Sequence, residues 1–317
     1  MGPPLLQIRL RSLIIRDICN TGKRKEDGRV QIISDSSANL DWLEGADFIS
    51  VPLTIRIGEK TYMDTPALRV RELLREMDAA AGPTGTACPS VGDWLDAFGD
   101  QERIFVATLT GTLSGCYGSA VIAAKEYMEE HPDRRVDVLN SLTTGPELEL
   151  ILEQYAALIR SGTPFVRAGD GIRAYCRRTH LAFMLSSLDN FARNGRVSPA
   201  LAKLVSMLHI HIVGRASAGG ELEPLNRCRG RNGALQQLWK NMKAAGYDGG
   251  KVRIRHTENA VAASELRRTI LTEFPGADVR VGENRGLCSY YAEHGGILVG
   301  YEGGLLPVES ERKRDRR

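Results

Sequence analysis

Apolar and polar positions alternate along the chain in two registers: short continuous apolar runs, and longer stretches of helical period. Residues 30–33 (Val-Gln-Ile-Ile) are the first such run and end in the polar turn Ser34-Asp35-Ser36-Ser37, which predicts a strand, a turn and a short helix over 40–43. Residues 48–57 are rich in β-formers, and Gly58-Glu59-Lys60 followed by Thr61-Tyr62-Met63 predicts a hairpin-like excursion. Helices are expected over 70–80, 91–98, 114–129 and 147–160, and strands over 104–109 and 135–139, while the breaker-rich residues 82–90 read as a loop. Strand and helix alternating in this way, with strands apolar on both faces, predict a parallel sheet covered by helices.

Gly162-Thr163-Pro164 interrupts the pattern. Beyond it helices are expected over 166–177, 187–191, 199–207, 235–245 and 260–274, with strands over 181–185, 209–213, 221–224 and 252–256 and near 279 and 297. That order is mixed α+β. A length of 317 residues is long for one core and suggests two domains. The expected fold class is therefore α/β: an N-terminal parallel-sheet, Rossmann-like domain over 29–164 and a second α+β domain over 165–304, with a ligand held between them. Residues 1–28 read as a loose extension and 305–317 as a basic tail.

Composition changes this picture little. Forty-two basic and 39 acidic residues leave a net charge of +3, too balanced for a domain that neutralises a nucleic-acid backbone. The six cysteines, at 19, 88, 116, 176, 228 and 288, include no C-x-x-C pair and no histidines at metal-ligand spacing, so they read as reduced thiols in a cytoplasmic protein without a bound metal. Residues 5–18 are apolar but broken by Arg9, Arg11 and Arg16, which excludes a membrane span and leaves at most transient contact with an anionic membrane surface. No phosphate-cradling glycine motif, G-x-S-x-G elbow or H-E-x-x-H pair is present, so no nucleotide or other cofactor is expected.

What remains is a set of hydroxyls, one arginine and one histidine at the ends of predicted elements, where open α/β sheets put their ligands. Asp35-Ser36-Ser37-Ala38 with Leu40, Val51-Pro52-Leu53 with Tyr62 and Asp64, Thr86-Ala87-Cys88-Pro89-Ser90 and Leu113-Ser114-Gly115-Cys116-Tyr117 occur in that order. Asn194-Gly195-Arg196-Val197-Ser198, residues 229–234 and His294-Gly295-Gly296 follow. Together they resemble the motif series of the DegV family, whose members include the fatty-acid-binding subunits of bacterial fatty acid kinase. The resemblance runs from about Val30 to Tyr301. It implies a lipid carrier rather than an enzyme: Thr86 and Ser114 contact the carboxylate of a long-chain fatty acid, and Arg196 and His294 join its hydrogen-bond network. It also implies that a separate fatty acid kinase phosphorylates the bound acid for phospholipid synthesis.

The chemistry suits such a ligand. Burying a carboxylate demands hydroxyl and guanidinium donors, and Ser114 at a predicted helix start adds free N–H groups. Burying about 15 methylenes at about 0.8 kcal/mol each supplies on the order of 10 kcal/mol before ordering costs. The helices over 199–207 and 235–245 are the expected cover for the tail. Taken singly, each residue has a plainer role: Ser114 as a helix cap, Thr86 as a turn residue, Arg196 as a surface charge or carbonyl clamp, and His294 as a capping histidine. The sequence departs from the family pattern at Ala87, Cys88, Cys116 and Asn140-Ser141, which implies a less hydrated head-group site or a different acyl preference. Two other functions stay open at this point: an acyl hydrolase or transferase using Ser114 with His294, and a lipid-sensing regulator without a kinase partner.

Overall fold

The computed structural model describes residues 29–198 and 210–306. In chain order the first elements are β1 (Val30–Asp35), β2 (Asp47–Val51), β3 (Thr54–Ile57), β4 (Lys60–Met63), α1 (Val70–Ala79), β5 (Thr84–Ala87) and α2 (Val91–Phe98). β6 (Arg103–Thr108), α3 (Cys116–Glu130), β7 (Arg135–Asn140), α4 (Gly145–Arg160) and α5 (Phe165–Tyr175) follow. The remainder comprises β8 (Thr179–Leu185), α6 (Asp189–Arg193), β9 (Ile210–Ala216), β10 (Leu222–Arg229), α7 (Arg231–Ala244), β11 (Val252–His256), α8 (Ala260–Glu273), β12 (Val279–Glu283), α9 (Gly286–Ala292) and β13 (Ile297–Glu302).

β1, β2, β6 and β7 form a four-stranded sheet in the order β2-β1-β6-β7, parallel throughout as the alternating pattern predicted. Successive side chains of a strand point to opposite faces, and both faces here are apolar. Ile33, Ile104 and Val106 pack with Trp94, Phe98 and Tyr127 of α2 and α3, and Ile32, Phe105 and Ala107 pack with Leu148, Ile151 and Tyr155 of α4.

β3, β4 and β5 make a small antiparallel sheet in the order β4-β3-β5. Its third strand occupies the stretch expected to be a loop: Thr84-Gly85-Thr86-Ala87 carries no large apolar side chain, so its strand character comes from backbone pairing with β3. The short helix expected over 40–43 is replaced by a single 3-10 turn at Ser36–Ala38, which Asp35 opens by accepting the Ser37 N–H at 3.0 Å. Helix α9 was not anticipated, because Gly-Leu-Cys-Ser-Tyr-Tyr-Ala is short, opens on glycine and is mostly of weak helix formers.

The six strands after residue 178 form a mixed sheet in the order β10-β9-β8-β13-β11-β12. One face, carrying Ala182, Met184, Val213, Ile254 and Val299, is filled by Leu238, Trp239 and Met242 of α7 and Ala262, Leu266 and Ile270 of α8. The other face meets α4. Arg253 and Arg255 of β11 form two-pronged ion pairs with Glu153 and Glu149 of that helix, at 2.6 to 2.9 Å. At β13 the start of α4 lies directly on Gly300: a Cβ there would fall 2.3 Å from the Glu147 nitrogen and the Pro146 carbonyl. Only a glycine permits that approach. The first turn of α4 reaches β8 at Thr179, which donates to Glu147 at 2.8 Å, and the apolar residues of β8 and β9 beyond it pack with Cys288 and Ala292 of α9 and Phe191 of α6.

Candidate functional site

This part of the sheet borders a cavity of about 260 Å³. Leu181, Phe183 and Leu185 line it from alternate positions of β8, Leu298 from β13 and Leu222 from β10. Leu53, Leu109, Leu113, Leu287 and Phe191 complete most of the apolar wall. The turn between β9 and β10 bounds one side: Gly220, at φ +79°, lies where a Cβ would strike Thr110 Oγ1, and Thr112 Oγ1 donates to the Gly219 carbonyl at 2.7 Å.

One end of this wall is polar. Thr86 reaches it from β5, Ser114 from the loop before α3, Arg196 from the loop after α6 and Tyr291 from α9. Thr86 Oγ1 and the Tyr291 hydroxyl share a hydrogen bond of 2.8 Å. Arg196 Nε donates to the Leu113 carbonyl at 2.7 Å and Nη1 to the Asn194 carbonyl at 2.5 Å, which ties its loop to the residue preceding Ser114. Ser114 Oγ accepts the Cys116 N–H at 3.3 Å and donates to the Cys116 thiol at 3.2 Å, so it orders the turn into α3. That helix starts at Cys116, two residues later than the pattern predicted. Cys88 also lines this end, against Gly115, where a Cβ would lie 2.9 Å from its sulfur.

The other motif carboxylates hold the walls in place. Asp35 is fully buried and accepts the Leu109 N–H at 2.7 Å as well as that of Ser37; burial raises its carboxyl to about 6 against the pull of those bonds. Asp64 accepts the N–H groups of Gly286 and Leu287 at 2.9 and 3.1 Å and so caps α9, the helix that carries Tyr291. Arg285 anchors the same helix start through the carbonyls of Leu40 and Asp64 and an ion pair with Asp41.

Three of the four residues expected at the site, Thr86, Ser114 and Arg196, thus line one cavity. His294 does not. Its ring is exposed and bonds Glu258 at 2.7 Å and Asp78 at 3.0 Å; burial pulls its pKa down, but the Glu258 hydrogen bond and the two carboxylate charges outweigh that and raise it. The pairing of Ser114 with His294 as nucleophile and base accordingly lacks its geometry, since each is bonded elsewhere. The helix expected over 235–245 lies in α7, on the opposite face of the sheet from the cavity, and the one expected over 199–207 falls outside the described residues. Tyr291, Thr110 and Thr143, which also line the cavity, were not foreseen. A usable signal did exist in the Leu-x-Phe-x-Leu alternation at 181–185, which marks one apolar face of a strand. Among the described residues no group of side chains could hold a metal ion, and no helix is long and apolar enough to cross a membrane.

Residues 29–302 match the family described as "Uncharacterised protein, DegV family". A DegV domain-containing protein of Streptococcus pneumoniae is 38% identical over 276 residues, which cover 86% of this chain and 98% of the relative. The crystal structure of the Streptococcus pneumoniae Fatty Acid Kinase B3 protein loaded with linoleic acid superposes with a TM-score of 0.84 at 38% identity, over 87% of this chain and 99% of that one. A DegV family protein from Eubacterium eligens loaded with heptadecanoic acid superposes with a TM-score of 0.85 at 40% identity, over 87% and 100% of the two chains.

Proposed function

The chain belongs to the DegV family, and from that premise we propose that it binds one long-chain fatty acid, with the carboxylate at Thr86, Ser114 and Arg196 and the tail along the leucine-lined wall. The observation that carries this reading is the cavity's lining: leucine and phenylalanine side chains over most of it, with Thr86, Ser114, Tyr291 and the Arg196 guanidinium together at one end. A carboxylate requires such donors, and a hydrocarbon tail requires apolar surroundings. Two relatives at 38% and 40% identity were crystallised with linoleic and heptadecanoic acid respectively. The ligand lies between the N-terminal half over 29–164 and the C-terminal half over 165–304.

The polar end includes exposed Arg196 and Cys88, so the carboxylate is reachable from outside. The protein acts as the carrier in a two-component system: a separate kinase transfers the γ-phosphoryl group of ATP to that carboxylate, and the acyl phosphate passes to phospholipid synthesis. The similarity to a protein named as a fatty acid kinase component supports this step. Native mass spectrometry of the purified chain tests the binding: the expected result is a co-purified fatty acid, or uptake of one added lipid per chain. A chain that carries no lipid and takes up none would refute it.

A further inference from the structure

The polar end contains a hydroxyl pair whose order matters. β5 places Thr84 and Thr86 on one face, two residues apart, and α9 places Tyr290 and Tyr291 against that face. The Tyr290 hydroxyl bonds Thr84 Oγ1 at 2.8 Å and accepts from Asn194 Nδ2 at 2.8 Å, while the Tyr291 hydroxyl bonds Thr86 Oγ1 at 2.8 Å. The Tyr291 ring is fixed by Phe191, at 4.7 Å between centroids, and stands perpendicular to Tyr290 at 4.9 Å. A threonine hydroxyl has a single proton. Turned toward Tyr291, it leaves only lone pairs to face the cavity, and these repel an anion.

We propose that Tyr291 is a positioning residue for the carboxylate: its hydroxyl donates to Thr86 Oγ1, which commits the Thr86 proton to the ligand and makes the site selective for an anionic head group. The inference rests on the fatty-acid reading above. A phenol is a better proton donor than an aliphatic alcohol, so this order is the favoured one whenever an acceptor occupies the cavity. Burial holds the phenol above its ordinary range against the pull of Thr86 and Arg196, so it keeps its proton at neutral pH. The relay also suits a chain in which Cys88 stands two residues after Thr86, because a thiol is a weak donor.

The test is Tyr291→Phe, which keeps the ring against Phe191 and removes only the hydroxyl, with affinities for linoleic acid and for linoleyl alcohol measured by calorimetry. The expected result is a roughly tenfold loss for the acid and less than about twofold for the alcohol. In a double-mutant cycle with Thr86→Val, the two losses should fall well short of additive, since both variants break one relay. Equal losses for acid and alcohol, no loss for the acid, or additive losses would each overturn the positioning role. Failure of the wild-type chain to bind linoleic acid would instead overturn the reading on which it rests.

Discussion

The two faces of the six-stranded sheet are built from the same strands and meet different fates. On one, Met184, Val213, Ile254 and Val299 are closed over by α7 and α8 into a continuous core. On the other, Leu181, Phe183, Leu185 and Leu298 are just as apolar, but α4 is tied by its ion pairs to β11 and meets β8 at Thr179, and beside it these side chains face the cavity together with Phe191 of α6 and Ala292 of α9. Strand composition therefore does not decide which face becomes core and which becomes a binding wall. What differs is the helices that meet each face: α7 and α8 fill one, while α4, α6 and α9 meet the other around a cavity.

Truncations on the two faces should separate these roles. Leu238→Ala, fully buried in the filled face, is expected to cost about 2 to 5 kcal/mol of stability in urea unfolding without acting on lipid affinity directly. Glu153→Ala comes next: it leaves Arg253, 1% exposed, with Asp278 as its one remaining carboxylate, and should cost about 3 kcal/mol by the same measurement. Leu298→Ala, on the cavity wall, should cost only about 1 to 2 kcal/mol in the empty protein, because the atoms removed already lacked partners on one side. Its larger effect should appear as weakened fatty-acid binding. If Leu238→Ala and Leu298→Ala prove equal in both measurements, the contrast between the faces is wrong.

An effect seen only as a dependence on pH concerns Glu147, at the start of α4. Burial raises its carboxyl to about 7 from an ordinary 4.5, although the hydroxyls of Thr143 and Thr179 donate to it. The folded chain therefore holds this proton more tightly than the unfolded one. Its stabilising contribution is complete below about pH 4.5 and is lost as pH rises toward 7. Glu147→Gln should flatten that decline, read as a smaller difference between urea midpoints at pH 5 and pH 8 than in the wild type.

Much of this arrangement was legible in the sequence, and the failures share a cause. Long periodic segments such as those of α3, α4 and α8 and apolar runs such as those of β1, β6 and β8 carry their structure locally. Thr84–Ala87 and Gly286–Ala292 do not: one is a strand only because β3 pairs with it, the other a helix only because Asp64 and Arg285 hold its first turn. Thr86, Ser114 and Arg196, which line the cavity, lie in motifs readable from the sequence, whereas Tyr291 sits on the element that tertiary contacts create. That His294 bonds Asp78 and does not line the cavity was not legible, because a histidine before two glycines says nothing of a carboxylate more than 200 residues away in sequence.

The contact at Gly300 has a mechanical corollary. The helix that borders the chamber rests there on bare backbone, with no side chain as a spacer. A single added methyl would act as a wedge, tilting the rod at its Gly145 end and opening a seam at Thr143 and Thr144, which line the chamber beside that end. If the chain carries a fatty acid as proposed, retention of that oily cargo depends on the thinness of one strand position.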